Sequence, residues 1–169
     1  MAPATPSPRR ILSLATLLVA AVLDPVGSFA NPTGANVTGG AATVTGQGTS
    51  RVTIDQSSDR AFIEWNSFSV AKGESVRFNQ PSASSVTANK VVGVAPSEIL
   101  GSLSANGRLI LINPNGIVFG AGAQINVGGL VASSLAISNA DFLSGNRRFS
   151  ADGPAGQVSN QGAITTPSG

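Results

Sequence analysis

Clustered carboxylates beside a basic residue would serve calcium binding or acid–base work on a polysaccharide. Beyond residue 30 the acidic side chains are Asp55, Asp59, Glu64, Glu74, Glu98, Asp141 and Asp152, with no adjacent pair. Histidine and cysteine are both absent, which removes the commonest general base and the strongest metal ligands. Asp55 with Asp59 is the nearest grouping, and it fits a solvated turn. The chain is therefore expected not to be an enzyme and to carry no metal or cofactor. Gly120-Ala121-Gly122 opens no phosphate-binding glycine pattern and precedes no helix. Trp65 could stack on a sugar, but its alternation with Ile63 places it in a core or under a cap. Arg147-Arg148 follows Gly145-Asn146 and reads as a solvated loop. Asn36-Val37-Thr38 matches a glycosylation sequon, a tripeptide that also arises by chance.

The N-terminal segment has the layout of a cleavable leader. Met1 to Arg10 is polar and ends in two arginines, Ile11 to Leu23 is mainly apolar, and Ser28-Phe29-Ala30 puts small residues where a signal peptidase reads. Cleavage is predicted between Ala30 and Asn31, with the Sec translocon and signal peptidase as the implied partners. The apolar run is shorter than the roughly 20 residues of a membrane-spanning helix, so no stable membrane span is expected. This divides the chain into a signal peptide, 1–30, and one domain, 31–169. The formal net charge of +2 falls closer to zero when Arg9, Arg10 and Asp24 leave with the leader. That balance gives no support for nucleic-acid binding, which needs clustered cations and stacking aromatics. An exported domain without cysteine must rely on packing and backbone hydrogen bonds. It could also cross a second membrane as an extended chain.

Helical periodicity is absent after residue 30, whereas strand signals are frequent. Val52 and Ile54 alternate with Arg51, Thr53 and Asp55. Ala61, Ile63 and Trp65 alternate with Phe62, Glu64 and Asn66, and Val76 and Phe78 flank Arg77. Further on come runs apolar on both faces: Leu109 to Ile112, Ile117 to Phe119 and Leu130 to Ala132. Turn residues separate them at Asn106-Gly107, Asn113 to Gly116, Gly120 to Gly122 and Gly128-Gly129. Such runs imply strands covered on both sides, in a sandwich or in a β-helix with an extra sheet or hairpin outside. Gln124-Ile125-Asn126-Val127-Gly128 is echoed from Gln157 to Ile164, one or two rungs later if the chain is a solenoid. Ala35 to Gly48 and Gly153 to Gly169 have too few bulky apolar residues for cores of their own, and read as caps, terminal coils or linker.

Asn113-Pro114-Asn115-Gly116 is the sharpest local signal. Proline presets φ at the second position, Asn tolerates the third, and Gly accepts the positive φ that often follows a type I turn. Two readings stand: a tight turn and nothing more, or a turn that is also a recognition or folding-nucleation element.

Together with Phe78-Asn79-Gln80-Pro81-Ser82, Pro96-Ser97, Gly101 to Gly107, Ile112 to Gly120 and Ala123 to Ser133, this motif resembles the N-terminal secretion domain of the filamentous haemagglutinins. Those are exoproteins of the two-partner secretion family. The resemblance runs from about Thr43 to Thr165. It implies an all-β fold, a right-handed parallel β-helix with an N-terminal cap and extra-helical hairpin or sheet elements. It also implies that an outer-membrane transporter with periplasmic domains recognises the domain and threads the exoprotein out to the cell surface, where β-helix folding is nucleated. Asn113, Pro114, Asn115 and Gly116 match the family's Asn-Pro-Asn-Gly element, associated with productive secretion. A second Asn-Pro-Asn motif, present nearer the N-terminus of some members, is absent. The rival expectation is a stand-alone secreted module that binds a host-surface glycan or protein.

Overall fold

The structure is a computed structural model that describes residues 30–151 and 153–167; all of the signal peptide expected at 1–30 except Ala30 lies outside the described residues. In chain order the elements are β1 (Asn36–Gly39), β2 (Ala42–Thr45), β3 (Arg51–Gln56), β4 (Arg60–Trp65), β5 (Ser75–Asn79), β6 (Val86–Val91) and β7 (Ser97–Ile99). They continue with β8 (Ser102–Ile112), β9 (Ile117–Phe119), β10 (Gln124–Ser133), β11 (Ala136–Ile137), the helix α1 (Asn139–Leu143), β12 (Phe149–Ser150), β13 (Val158–Asn160) and β14 (Ala163–Thr165).

Three parallel ladders form the faces of a β-solenoid of about three turns. On the first face β3, β5, the start of β8, the start of β10 and β14 succeed one another. The second carries β4, β6, the end of β8 and the end of β10. The third stacks Val70, β7, β9 and β13. Parallel pairing puts like positions above one another, so inward side chains form columns. Val52, Val76, Leu103, Ile125 and Ile164 share one register. Ile99 and Phe119 stack on the third face. Apart from Ile164, which is exposed in the last coil, these columns merge into one core with Ile54, Trp65, Phe68 and Phe78.

The segment before Arg51 closes one end. β1 pairs antiparallel with β4 and β2 antiparallel with β3, while Ala35, Val37, Ala42 and Val44 pack against the core. These small residues cannot support a core alone, but they suffice to cover one already built.

Of the three apolar runs expected to be covered on both sides, only Leu109–Ile112 finds a second cover; Val118 and Val131 point outward and are exposed, so Ile117–Phe119 and Leu130–Ala132 are covered on the inner side alone. Leu109 and Leu111 point into the solenoid core, whereas Ile110 and Ile112 point outward into a second cluster with Phe62, Val86, Ala88, Ile137 and Phe142. The cover is an excursion between β10 and β13 that carries the β11–β12 hairpin and α1. Ser138 caps α1, its hydroxyl accepting from the Asp141 N–H at 3.0 Å. Phe142 then meets Phe62 edge-on, with centroids 5.7 Å apart, and Arg60 lies 5.6 Å above the Phe142 ring. Phe62, read in the sequence as the outward partner of Ile63, is thus outward and buried, because a second layer lies over it.

The internal echo stacks differently from the alignment of its letters. Ile125 lies under Ile164, as a one-coil repeat would have it, but Val158 stacks on Ile117 of the third face. Turn residues at Asn106-Gly107 and Gly128-Gly129 do not interrupt their strands; they bend β8 and β10 from one face to the next. Asn106 exchanges hydrogen bonds with the Gln80 backbone, 2.7 Å in each direction, and the Gly107 N–H donates to Gln80 Oε1 at 2.9 Å. A Cβ on Gly107 would sit 2.7 Å from the Ser85 carbonyl oxygen, and one on Gly128 would sit 2.8 Å from that of Gly107.

Two outcomes follow from this packing. Phe142→Ala removes the centre of the outer cluster and is expected to lower the unfolding free energy by about 3 kcal/mol; chemical denaturation checks it, and a loss below about 0.5 kcal/mol would separate the excursion from the folded unit. Gly107→Ala forces a side chain against backbone and is expected to cost about 1–3 kcal/mol in the same measurement.

Candidate functional site

The Asn113–Gly116 corner joins β8 on the second face to β9 on the third. Its turn is closed by the Gly116 N–H donating to the Asn113 carbonyl at 3.0 Å, and Gly116 takes φ +111. The Asn113 carboxamide oxygen accepts from the Asn115 backbone N–H at 2.9 Å, an Asx turn, and from Asn115 Nδ2 at 3.2 Å. The turn expected from the sequence is therefore the turn that forms.

The corner also reaches beyond itself. Asn113 is fully buried, and its Nδ2 donates to the Ala95 carbonyl and to Ser97 Oγ, both at 3.0 Å. Asn115 is exposed, yet its Nδ2 donates to the Gly93 carbonyl at 2.9 Å. Those partners belong to the preceding corner, Gly93 and Ala95 before β7 and Ser97 at its first position. From the following coil, the Gly156 N–H donates to the Pro114 carbonyl at 2.7 Å, and the Ile117 N–H donates to the Gln157 carbonyl at 3.0 Å. The Asn113 N–H is taken by the Ser133 carbonyl at 3.0 Å. One short motif thus bonds to the coil before it and the coil after it. The spacing showed the turn but not Gly93, Ala95 and Ser97.

A buried polar spine accompanies it. Gln80 Nε2 donates to Thr87 Oγ1 at 3.0 Å, Thr87 in turn bonds Gln56, and Asn89 Oδ1 accepts from Trp65 Nε1 at 3.0 Å. Trp65 is fully buried and edge-on to Phe68 at 5.4 Å, so it presents no face to a sugar. This spine went unread because polar residues in strands ordinarily point outward.

The remaining sequence candidates stay apart. Asp55 and Asp59 are both exposed, as are Arg147 and Arg148. No group of three or more potential metal ligands assembles among the described residues. A shallow polar cleft of about 420 Å³ opens on the first face beside Arg77, Asn79, Gln80, Asn106 and Asn126. Arg77 donates to Asn79 and Asn79 to Asp55, which commits these groups to one another. At the predicted processing point, Ala30 is exposed and Asn31 buried. No helix among the described residues is long and apolar enough to cross a membrane.

This architecture has relatives. The TPS secretion domain family matches residues 28–169. Two heme/hemopexin-binding proteins of Haemophilus influenzae are similar: one is 41% identical over 135 residues, 79% of this chain and 15% of the relative, and the other 38% identical over 112 residues, 66% of this chain and 12% of the relative. The chain thus spans a small part of these relatives' length. The crystal structure of the HMW1 secretion domain from Haemophilus influenzae superposes with a TM-score of 0.75 at 36% identity, covering 80% of this chain and 37% of that one. Family, relatives and fold agree, and the chain belongs to the two-partner secretion domains.

Proposed function

We propose that residues 31–169 are the export address of a larger exoprotein. A leader, 1–30, takes the chain through the Sec translocon and is removed between Ala30 and Asn31. A dedicated outer-membrane transporter then captures the domain in the periplasm and threads it outward, and the domain folds at the cell surface. Alternating segments such as Arg51 to Gln56 and Ala61 to Trp65 would add as strands to the edge of a periplasmic domain of the transporter. In the folded domain the same backbone groups bond to β2, β5, β1 and β6, so capture and folding exclude each other. A domain of this size releases about 7 to 20 kcal/mol on folding, which opposes backsliding without a nucleotide.

The observation that carries this reading is the Asn113–Gly116 corner. Its partners lie in the coil before and the coil after, so forming it sets the register of the neighbouring turns, as a folding nucleus must. The reading includes no catalytic role. Heme binding, named in the relatives, is also placed outside this domain, since residues 31–169 contain none of the axial ligands His, Cys, Tyr or Met. Binding of a host glycan or protein is assigned to other parts of the exoprotein, because the polar cleft on the first face offers no exposed aromatic platform.

Deleting residues 31–169 from the exoprotein while keeping its leader is expected to leave the remainder in the periplasm of cells making the transporter; fractionation and immunoblotting check it. Normal export with lost adhesion would instead support a stand-alone binding module. Substituting the corner tests nucleation. Asn113→Ala strands buried groups and is expected to cost about 2–3 kcal/mol, and Asn115→Ala about 1 kcal/mol, with the secreted fraction falling in that same order. An Asn115→Ala protein of unchanged stability that is no longer exported would show that the corner is recognised and does not act through folding.

A further inference from the structure

Glu74 is a carboxylate that the secretion reading leaves unused. It is 6% exposed and stands at the entrance to β5, its backbone fixed by bonds to the Ala71 carbonyl and from the Ser102 N–H. One carboxylate oxygen accepts from the Ala71 N–H at 2.9 Å, and the other accepts from the Ala30 N–H at 3.0 Å. Both donors are neutral amides. A buried carboxylate without a cation is costly, and charge-assisted bonds offset that cost better than neutral ones.

A second observation lies one residue along. Asn31 is 1% exposed and planted under the cap, its Nδ2 donating to the Thr49 carbonyl at 2.6 Å. Its Oδ1 is buried and has no hydrogen-bond partner among the described residues. Pro32 beside it is buried as well, whereas Ala30 is exposed. The boundary between outside and inside thus falls on the Ala30–Asn31 peptide bond. Beside that bond, among the described residues, a carboxylate lacks a cation and a carboxamide oxygen lacks a donor.

We propose that Glu74 is the binding site for a primary ammonium group, the α-ammonium that processing creates on Asn31. The inference rests on the cleavage position proposed above. Hydrolysis gives the hydroxyl of water to the Ala30 carbonyl carbon and a hydrogen to the Asn31 nitrogen, which takes up a further proton at neutral pH. Ala30 departs with the leader and withdraws its N–H from Glu74. The new ammonium, one residue further in, replaces a neutral donor with a charged one. It also brings three N–H donors to the residue whose own Oδ1 is unpartnered. Leader removal therefore completes the cap, and the domain reaches full stability only after it has left the inner membrane.

The test compares the processed, exported chain bearing a free α-amine with the same protein N-acetylated at that amine, each with Glu74 and with Glu74→Gln. With Glu74, acetylation is expected to raise the unfolding equilibrium constant about tenfold or more; with Glu74→Gln the ratio should fall below about twofold. Equal ratios in the two backgrounds would overturn the site. A second readout needs no variant. The α-amine of the folded wild-type protein should acylate at least about tenfold more slowly at neutral pH than that of the urea-unfolded protein, and equal rates would likewise overturn the site. N-terminal sequencing separates the two layers. A first residue other than Asn31 overturns the cleavage reading, whereas a start at Asn31 with equal ratios or equal rates overturns the ammonium site alone.

Discussion

In a parallel solenoid each coil must repeat the path of the coil beneath it, because its backbone N–H and C=O groups have no other partners. The requirement is mild along a flat face, where any pleated residue can pair, and severe at the corners. There the chain bends while keeping level with its neighbours above and below. Gly107 and Gly128 lie one over the other at such a corner, too close to neighbouring carbonyl oxygens for a Cβ on either. Asn113 meets the same requirement by a different means, using its carboxamide to supply bonds that the bent backbones cannot make to each other. Positions that look like ordinary turn chemistry in one coil are thus fixed by the coils around them.

The same rule accounts for what was legible in the sequence. β3, β4 and β5 showed themselves because their inner positions are apolar and most of their outer ones polar. Leu109 to Ile112 was readable as a two-sided strand, and the structure supplies both cores. β6 was not read: its inward Thr87 and Asn89 are polar, and they are satisfied by Gln56, Gln80 and Trp65, whose proximity only the coiling reveals. β7 and β13, three residues each, are too short for a period. Helix α1 buries only Phe142, which leaves no stripe to detect. At the candidate site the turn was local and therefore visible. Its bonds to Gly93, Ala95 and Ser97 bridge 16 to 22 residues and were invisible for that reason.

The outer layer shows how a solenoid of short coils gains cooperativity. A coil contacting only its neighbours contributes a local increment of stability. The excursion between β10 and β13 breaks that locality. Phe142 packs on Phe62 while Arg60 donates to the Phe142 carbonyl at 3.0 Å, which ties the first coil to a segment entered only after β10. Asn139 adds a bond to the Thr38 carbonyl in the cap at 2.8 Å. The cap, the first coil and the late excursion therefore stabilise one another.

This arrangement bears on when such a chain folds. Nearly every stabilising contact joins residues far apart in sequence, and loop closure must precede the contacts that reward it. The buried polar spine adds a penalty for partial assembly, since Gln80 or Thr87 enclosed without its partners would be worse than left in water. Folding is then slow to start and hard to complete from part of the chain. On the proposed route this is an advantage. A domain that collapsed early would fill a transporter's pore, while one that waits can be threaded as an extended chain. The absence of cysteine keeps that chain free of cross-links. On that proposed route, stability deferred until cap, coils and excursion are all present would let one sequence be first an extended passenger and then a folded domain.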